Sequence, residues 1–350
     1  MTRKRLHLSL AGFVLLGALF VGSADALEST LATSPGKNGP IAFTRYSDAS
    51  RSSGSIYVVN ANGKGERRVT SAPAGARDTQ PDWSHDGSLL VFERQYDDQR
   101  WETYKVRPNG SGLTKMDLGC KGRPIAEICE VSGPALSPDG KQIAFFHAYG
   151  SEKNVNGEIW IEVGAIAVVN VDGSGYRQLT QRQNPTSSED IQPFWSPDGK
   201  RIGFVRLNST ARPRGRQAIF VMNANGTGTK RVTPWQMQAG DHPDWSPHGR
   251  WIVFRSPDPG GFAGTDLYRV RPDGTGLRRL TNTKPDVEVL STSFSPDGKS
   301  IVFSHTGKGG LPDLFSMRID GKGMREITRT NAWESAPDWG PEADGDACNR

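Results

Sequence analysis

Two ionisable positions recur along this chain at a spacing near fifty residues. The first holds Asp78, Glu130, Asp190, Asp241, Glu288 and Glu334; the second holds Arg45, Arg94, His147, Arg206, Ser256 and His305. Carboxylates and guanidinium groups gathered at one rim can do either of two things. They can form a polar funnel that takes a charged partner segment, a small charged ligand or a cation. Or they can pair with one another around the ring as scaffold that ties neighbouring repeats together, where exposed pairs contribute only about 0–1 kcal/mol each. The candidate binding set is Arg45, Asp78, Arg94, His147, Asp190, Arg206, Asp241, His242, His305 and Glu334.

Covalent and metal chemistry has weaker support. His147, His242 and His305 are candidate metal ligands, yet they stand far apart and lack the local spacing of a metal motif. The chain has no H-E-x-x-H, no paired-cysteine motif, no phosphate loop and no G-x-S-x-G nucleophile elbow. No catalytic residue and no cofactor are assigned. Carboxylates at a rim are compatible with calcium or another divalent cation, without a loop motif to carry it.

The elements that position these residues come from a repeat. Gln192–Lys200 reads Q-P-F-W-S-P-D-G-K, and related stretches stand at Gln80–Ser88, Gly133–Lys141, His242–Arg250, Ser291–Lys299 and, truncated, Ala336–Pro341. Self-similarity at a fixed period marks a repeat architecture. Each unit reads as strand a (x-P-x-W-S), a P-D-G turn, strand b (I-x-F), a loop, strand c, a D/N-G-x-G turn and strand d (R-x-L-T). The order is offset, for the chain opens on strands b, c and d and closes on a lone strand a at Pro337-Asp338-Trp339. A ring accounts for this: the last strand a completes the first sheet. The expected fold is all-β, a six-bladed propeller of four-stranded antiparallel blades closed by its C- and N-terminal strands.

Strand direction then sorts the loops. The a–b and c–d turns share one monotonous face. The b–c and d–a connections share the other and carry nearly all the variation, so binding is expected there. Trp83, Trp195, Trp245 and Trp339, with Phe294 and Leu136 in equivalent slots, read as packing between blades. The turn residues Asp86, Asp139, Asp198 and Asp297 read as turn chemistry.

The N-terminus is separate. Arg3, Lys4 and Arg5 precede the apolar run Leu8–Val21 and the Ala24-Asp25-Ala26 site, so residues 1–26 read as a secretory signal peptide. Residues 27–38 are a polar leader, 39–341 the propeller and 342–350 a tail. Cleavage removes Arg3, Lys4, Arg5 and Asp25, taking the net charge from +5 to +3, too little excess for a nucleic-acid partner. Export permits disulfides, and Cys120 and Cys129 are the candidate pair, with Cys348 left over.

Together, W-S-P-D-G, I-x-F, the aromatic strand c and D-G-x-G-x-x-x-L-T resemble the TolB-type propeller repeat over residues 39–341. The resemblance implies the six-bladed fold. The α/β domain that precedes the propeller in TolB is expected to be absent, so TolB's role as periplasmic partner of Pal carries over only in part. Some relatives with this repeat are uronate lyases with a His-rich metal site at the mouth, which implies a rival reading as a metal-assisted polysaccharide lyase. Others attach a hydrolase domain, for which no sequence remains. The expectation is a monomeric, periplasmic or secreted binding scaffold with no membrane span after signal cleavage. Its partner would be an envelope or extracellular protein, or a small charged ligand.

Overall fold

The computed structural model describes residues 36–343 except 48, 99, 119–127, 151, 154–158, 161–162, 182–187, 209–215, 258–263, 285–286 and 307–309. Residues 1–26, where a signal peptide is expected, and Cys120 lie outside the described residues. Six antiparallel blades follow the repeat. From the axis outward, blade 2 runs Ala76–Trp83, Leu90–Tyr96, Trp101–Val106, Thr114–Lys115. Blade 3 runs Ile128–Leu136, Gln142–Gly150, Val163–Asn170, Arg177–Gln178, and blade 4 Ser188–Trp195, Arg201–Asn208, Arg216–Asn223, Lys230–Arg231. Blade 5 runs Gly240–Trp245, Ile252–Pro257, Thr265–Val270, Arg278–Arg279, and blade 6 Val289–Phe294, Ser300–Thr306, Pro312–Arg318, Arg325–Glu326.

Blade 1 takes Asn38–Tyr46, Gly54–Val59 and Arg67–Arg68 from the start of the chain and Trp333–Pro341 from its end. The two ends pair antiparallel, with Ile41 opposite Trp339 and Arg45 opposite Glu334. A single parallel bridge between Gly54 and Arg77 joins blades 1 and 2 into one sheet.

Six apolar clusters fill the ring, one between each pair of neighbouring blades. The aromatic residue of strand a faces the preceding blade: Trp83 packs with Ala42, Ile56 and Val58, and Trp195 with Ala135, Ala144 and Val168. Trp339 closes the circle against Val302 and Leu314 of blade 6. The d strands are only two residues long, and a threonine hydroxyl extends the pairing. Thr70, Thr180, Thr233, Thr281 and Thr328 each accept the N–H of a strand-c residue at 2.9–3.0 Å.

One glycine is required twice over. Gly63 holds φ +79, and a Cβ there would lie 2.6 Å from the Ile327 carbonyl oxygen of the neighbouring blade. The c–d turn therefore fixes both its own bend and the spacing between blades.

Candidate functional site

Four inner strands carry a left-handed residue other than glycine near their middle. Gln80, Gln192, His242 and Ala336, each just before a proline, hold φ of +54, +51, +53 and +49, and the strand-a to strand-b register slips there. A left-handed conformation costs a non-glycine residue about 1–2 kcal/mol, and bulges of this kind re-aim the neighbouring side chains. The x-P-D segments at Gln80, His242 and Ala336, with Gln192-Pro193-Phe194 and Gly133-Pro134-Ala135, line a channel of about 120 Å³ on the axis.

Three carboxylates face that channel: Asp82, Asp244 and Asp338. Strand alternation turns each tryptophan toward the preceding blade and its neighbouring aspartate toward the next one. Each aspartate accepts the N–H of the residue in the tryptophan slot of the following blade. Asp82 Oδ2 takes Leu136 N at 2.8 Å, Asp244 Oδ2 takes Phe294 N at 2.6 Å and Asp338 Oδ2 takes Trp83 N at 2.7 Å. Burial, with the charge of Asp338 added, pushes Asp244 up to about 7 against the pull of the Phe294 N–H. Burial also raises Asp82, again helped by the charges of Asp338 and Asp244, and it raises Asp338.

The linkage has a definite sign. A folded-state value near 7 for Asp244 lies above the unfolded value near 3.9. Its contribution is therefore complete below about pH 4 and is lost as pH rises through 7. Relative to Asp244→Asn, the wild type should lose about 2–4 kcal/mol of stability between pH 4 and 7.5, as read by urea unfolding. Parallel pH profiles would refute it.

At one end of the channel the cavity widens to about 610 Å³, walled by Arg51, Arg77, Asp241, His242, Arg255 and Trp333 among others. These residues come from the b–c and d–a connections and the strand ends beside them, on the variable face. Asp241 is held below the ordinary carboxylate range: burial opposes this, but the His242 hydrogen bond and the Arg255 charge outweigh it. Asp241 Oδ2 lies 2.9 Å from Arg255 Nε, and Asp241 Oδ1 lies 3.2 Å from His242 Nδ1. His242 Nε2 is buried without a hydrogen-bond partner. Arg77 donates from Nε to Gln95 Oε1 at 2.7 Å, and the Arg51 guanidinium sits 4.9 Å from the Trp333 ring centre. Among the described residues neither guanidinium is paired with a carboxylate. The other acid on this wall, Glu288, is exposed.

The ten sequence-derived candidates divide. Asp241 and His242 reach the cavity. Arg45, Arg94 and Arg206 instead pair inside their own blades with Glu334, Asp78 and Asp190. Arg94 Nη2 lies 2.9 Å from Asp78 Oδ2, Arg206 Nη2 2.8 Å from Asp190 Oδ2 and Arg45 Nε 2.8 Å from Glu334 Oε1. Each guanidinium also lies 4.6–4.7 Å from an aromatic ring of strand c, at Tyr57, Tyr104 or Phe220. The carboxylates are buried, with Asp78 and Glu334 at 0% exposure. These pairs run across strands a and b of a single blade rather than from blade to blade.

The remaining histidines are inside walls. His147 is fully buried, its Nδ1 2.7 Å from Tyr176 Oη. His305 packs 4.9 Å from Phe315, and burial lowers its pKa. Among the described residues no group of three or more His, Cys, Asp or Glu side chains is disposed to hold a metal ion. The disulfide expectation falls outside the described residues at Cys120 and at the Cys129 side chain. Among the described residues no helix is long and apolar enough to cross a membrane.

The sequence reading missed the channel aspartates and the pair Arg51 and Arg77. The first had a visible signal, an acid next to the strand-a tryptophan in three repeats. The second lies in irregular connections, where no repeat marks it.

Known proteins bear on this geometry. The model of the TolB beta propeller domain matches residues 126–343, well over half of the chain. An uncharacterized protein of Agrobacterium fabrum is 28% identical over 227 residues, covering 64% of this chain and 64% of the relative. A protein TolB homolog of Chlorobium luteolum is 34% identical over 133 residues, covering 38% of this chain and 26% of the relative. The chain thus spans less than two thirds of the length of these curated relatives. The crystal structure of TolB from Acinetobacter baumannii superposes with a TM-score of 0.64 at 19% identity, over 87% of this chain and 67% of that one. At that identity the likeness establishes the fold. With six bladed repeats, a strand shared between the chain ends and the domain match, the chain belongs to the TolB beta propeller family.

Proposed function

We propose that this propeller is a non-catalytic scaffold that holds an anionic segment of an envelope or extracellular protein, such as a Pal-like partner, in the cavity on its variable face. The observation that carries the reading is a 610 Å³ cavity in which the Arg51 and Arg77 guanidinium groups converge beside the Trp333 ring. Concave, preformed sites with a few convergent polar groups are where ligands bind, and guanidinium forks match carboxylates. Asp241, His242 and Arg255 orient the opposite wall. The six residues of the intrablade pairs brace blades 1, 2 and 4, and the site lies in the periplasm or outside the cell.

The test is affinity capture from the host's envelope extract by the wild type and Arg51→Glu/Arg77→Glu side by side. The expected result is a discrete protein recovered by the wild type and reduced about ten-fold or more by the variant, the scale of one lost charge-assisted contact. Equal recovery by both overturns the reading. Metal-assisted uronate lysis is the second reading, favoured by the partnerless His242 Nε2 in the cavity wall. It requires divalent-metal-dependent turnover of an acidic oligosaccharide that vanishes in His242→Ala.

A further inference from the structure

On the opposite face, among the a–b and c–d turns, blade 5 departs from its five sister copies. Arg250, Arg269 and Arg271 place their guanidinium carbons 5.4, 4.3 and 5.2 Å from the centre of the Trp251 ring. Arg278 joins them as the cross-strand partner of Arg269. The repeat supplies its own control. The Arg269 slot holds Val58, Lys105, Val168, Val221 and Ser316 elsewhere, and the Trp251 slot holds Pro40, Leu89, Gln142, Arg201 and Ser300. At these slots, among the described residues, no other blade combines four cations with an indole.

The charge is only partly cancelled from within. Arg269 donates from Nη1 to Ile319 O at 3.1 Å, while its Nε is buried without an acceptor. Of the acids nearby, Asp320 is paired with Arg318 at 2.7 Å, and Asp273, which accepts Thr275 N at 2.9 Å within its turn, offsets part of the Arg271 charge; the cations remain in excess. Burial and the charges of Arg278, Arg250 and Arg271 lower the Arg269 pKa against the opposing charge of Asp320, a sign of net repulsion. Arg250 and Arg278 are exposed, and Arg271 and Trp251 half-buried, so a ligand can reach the cluster.

We propose that this cluster is a phosphoryl-binding site: a doubly charged phosphate group, free or carried on a lipid headgroup, seats on Arg250, Arg271 and Arg278 while Arg269 adds charge from beneath. Guanidinium forks bind phosphate oxygens in pairs. A dianion offsets the repulsion among four cations better than a single carboxylate does. Trp251 stacks with the guanidinium groups and fixes their spread.

The experiment measures binding of inorganic phosphate by calorimetry at about 0.15 M salt, where a purely diffuse attraction is screened. In parallel it measures co-sedimentation with phosphatidylcholine vesicles carrying phosphatidic acid or, as the singly charged comparison, phosphatidylglycerol. The wild type should bind phosphate, phosphatidic acid vesicles or both. Arg250→Glu/Arg278→Glu, both exposed, should lose about ten-fold or more of that binding with an unchanged unfolding midpoint. Lys200→Glu/Lys230→Glu, at the same slots of blade 4, should keep it. Phosphate binding without vesicle binding identifies a free ligand, and vesicle binding identifies a headgroup; both support the site. No binding to either probe, equal binding to phosphatidylglycerol, equal loss in the blade 4 variant, or preference for polyglutamate over phosphate overturns it.

Discussion

Trp339→Ala should lower the thermal unfolding midpoint by about 4–8 °C and should also loosen blade 1 ahead of the rest. The side chain is only 3% exposed and fills the seam between blades 6 and 1. Its indole N–H donates to Gly39 O at 3.1 Å. Removing a buried aromatic costs about 3–5 kcal/mol, and a chain of this size loses roughly 1.5 °C per kcal/mol, because unfolding entropy grows with length. Trp195→Ala removes similar area from an internal seam and serves as the comparison. Hydrogen exchange should show early loss of protection at Ile41–Arg45 and Ile56–Val59 in Trp339→Ala alone. Identical exchange patterns in the two variants would mean that closure by the chain ends confers no special cooperativity.

The second large effect concerns Arg94 and Asp78. Arg94→Met leaves the Asp78 carboxylate at 0% exposure without its guanidinium. Breaking one side of a buried pair costs about 3–5 kcal/mol, whereas replacing both sides with apolar residues is often neutral or stabilising. The double variant Asp78→Leu/Arg94→Met should therefore recover most of the loss. Arg206→Met should cost less, because the Arg206 side chain keeps 17% exposure and water can reach Asp190. Urea unfolding of the three variants checks the order. A double variant no more stable than Arg94→Met would show that the pair's geometry, rather than the stranded charge, sets the cost.

The fold was readable because each copy of W-S-P-D-G carries its turn chemistry and its packing residue together. The six copies also arrive in an order that only a ring completes. The rim charges were readable as positions but not as partners. Asp78 and Arg94 lie sixteen residues apart on adjacent strands, directly opposite in register, so their contact depends on strand pairing that composition does not reveal. The channel aspartates needed a further step. Once Trp83 is assigned to the preceding blade, alternation turns Asp82 toward the next, and Leu136 N is the donor it meets. Arg51 and Arg77 were beyond reach, since the cavity they share forms only when blade 2 follows blade 1 around the axis.

The shared sheet of blade 1 also sets how the molecule yields to force. Asn38 stands opposite Pro341, so both ends of the described propeller leave from the same end of one antiparallel pair. Tension applied between them would peel that ladder rung by rung instead of shearing all its bonds at once. A tether at the two ends would therefore open the ring at low load, while one anchored within the internal blades would meet the full resistance of the intact circle.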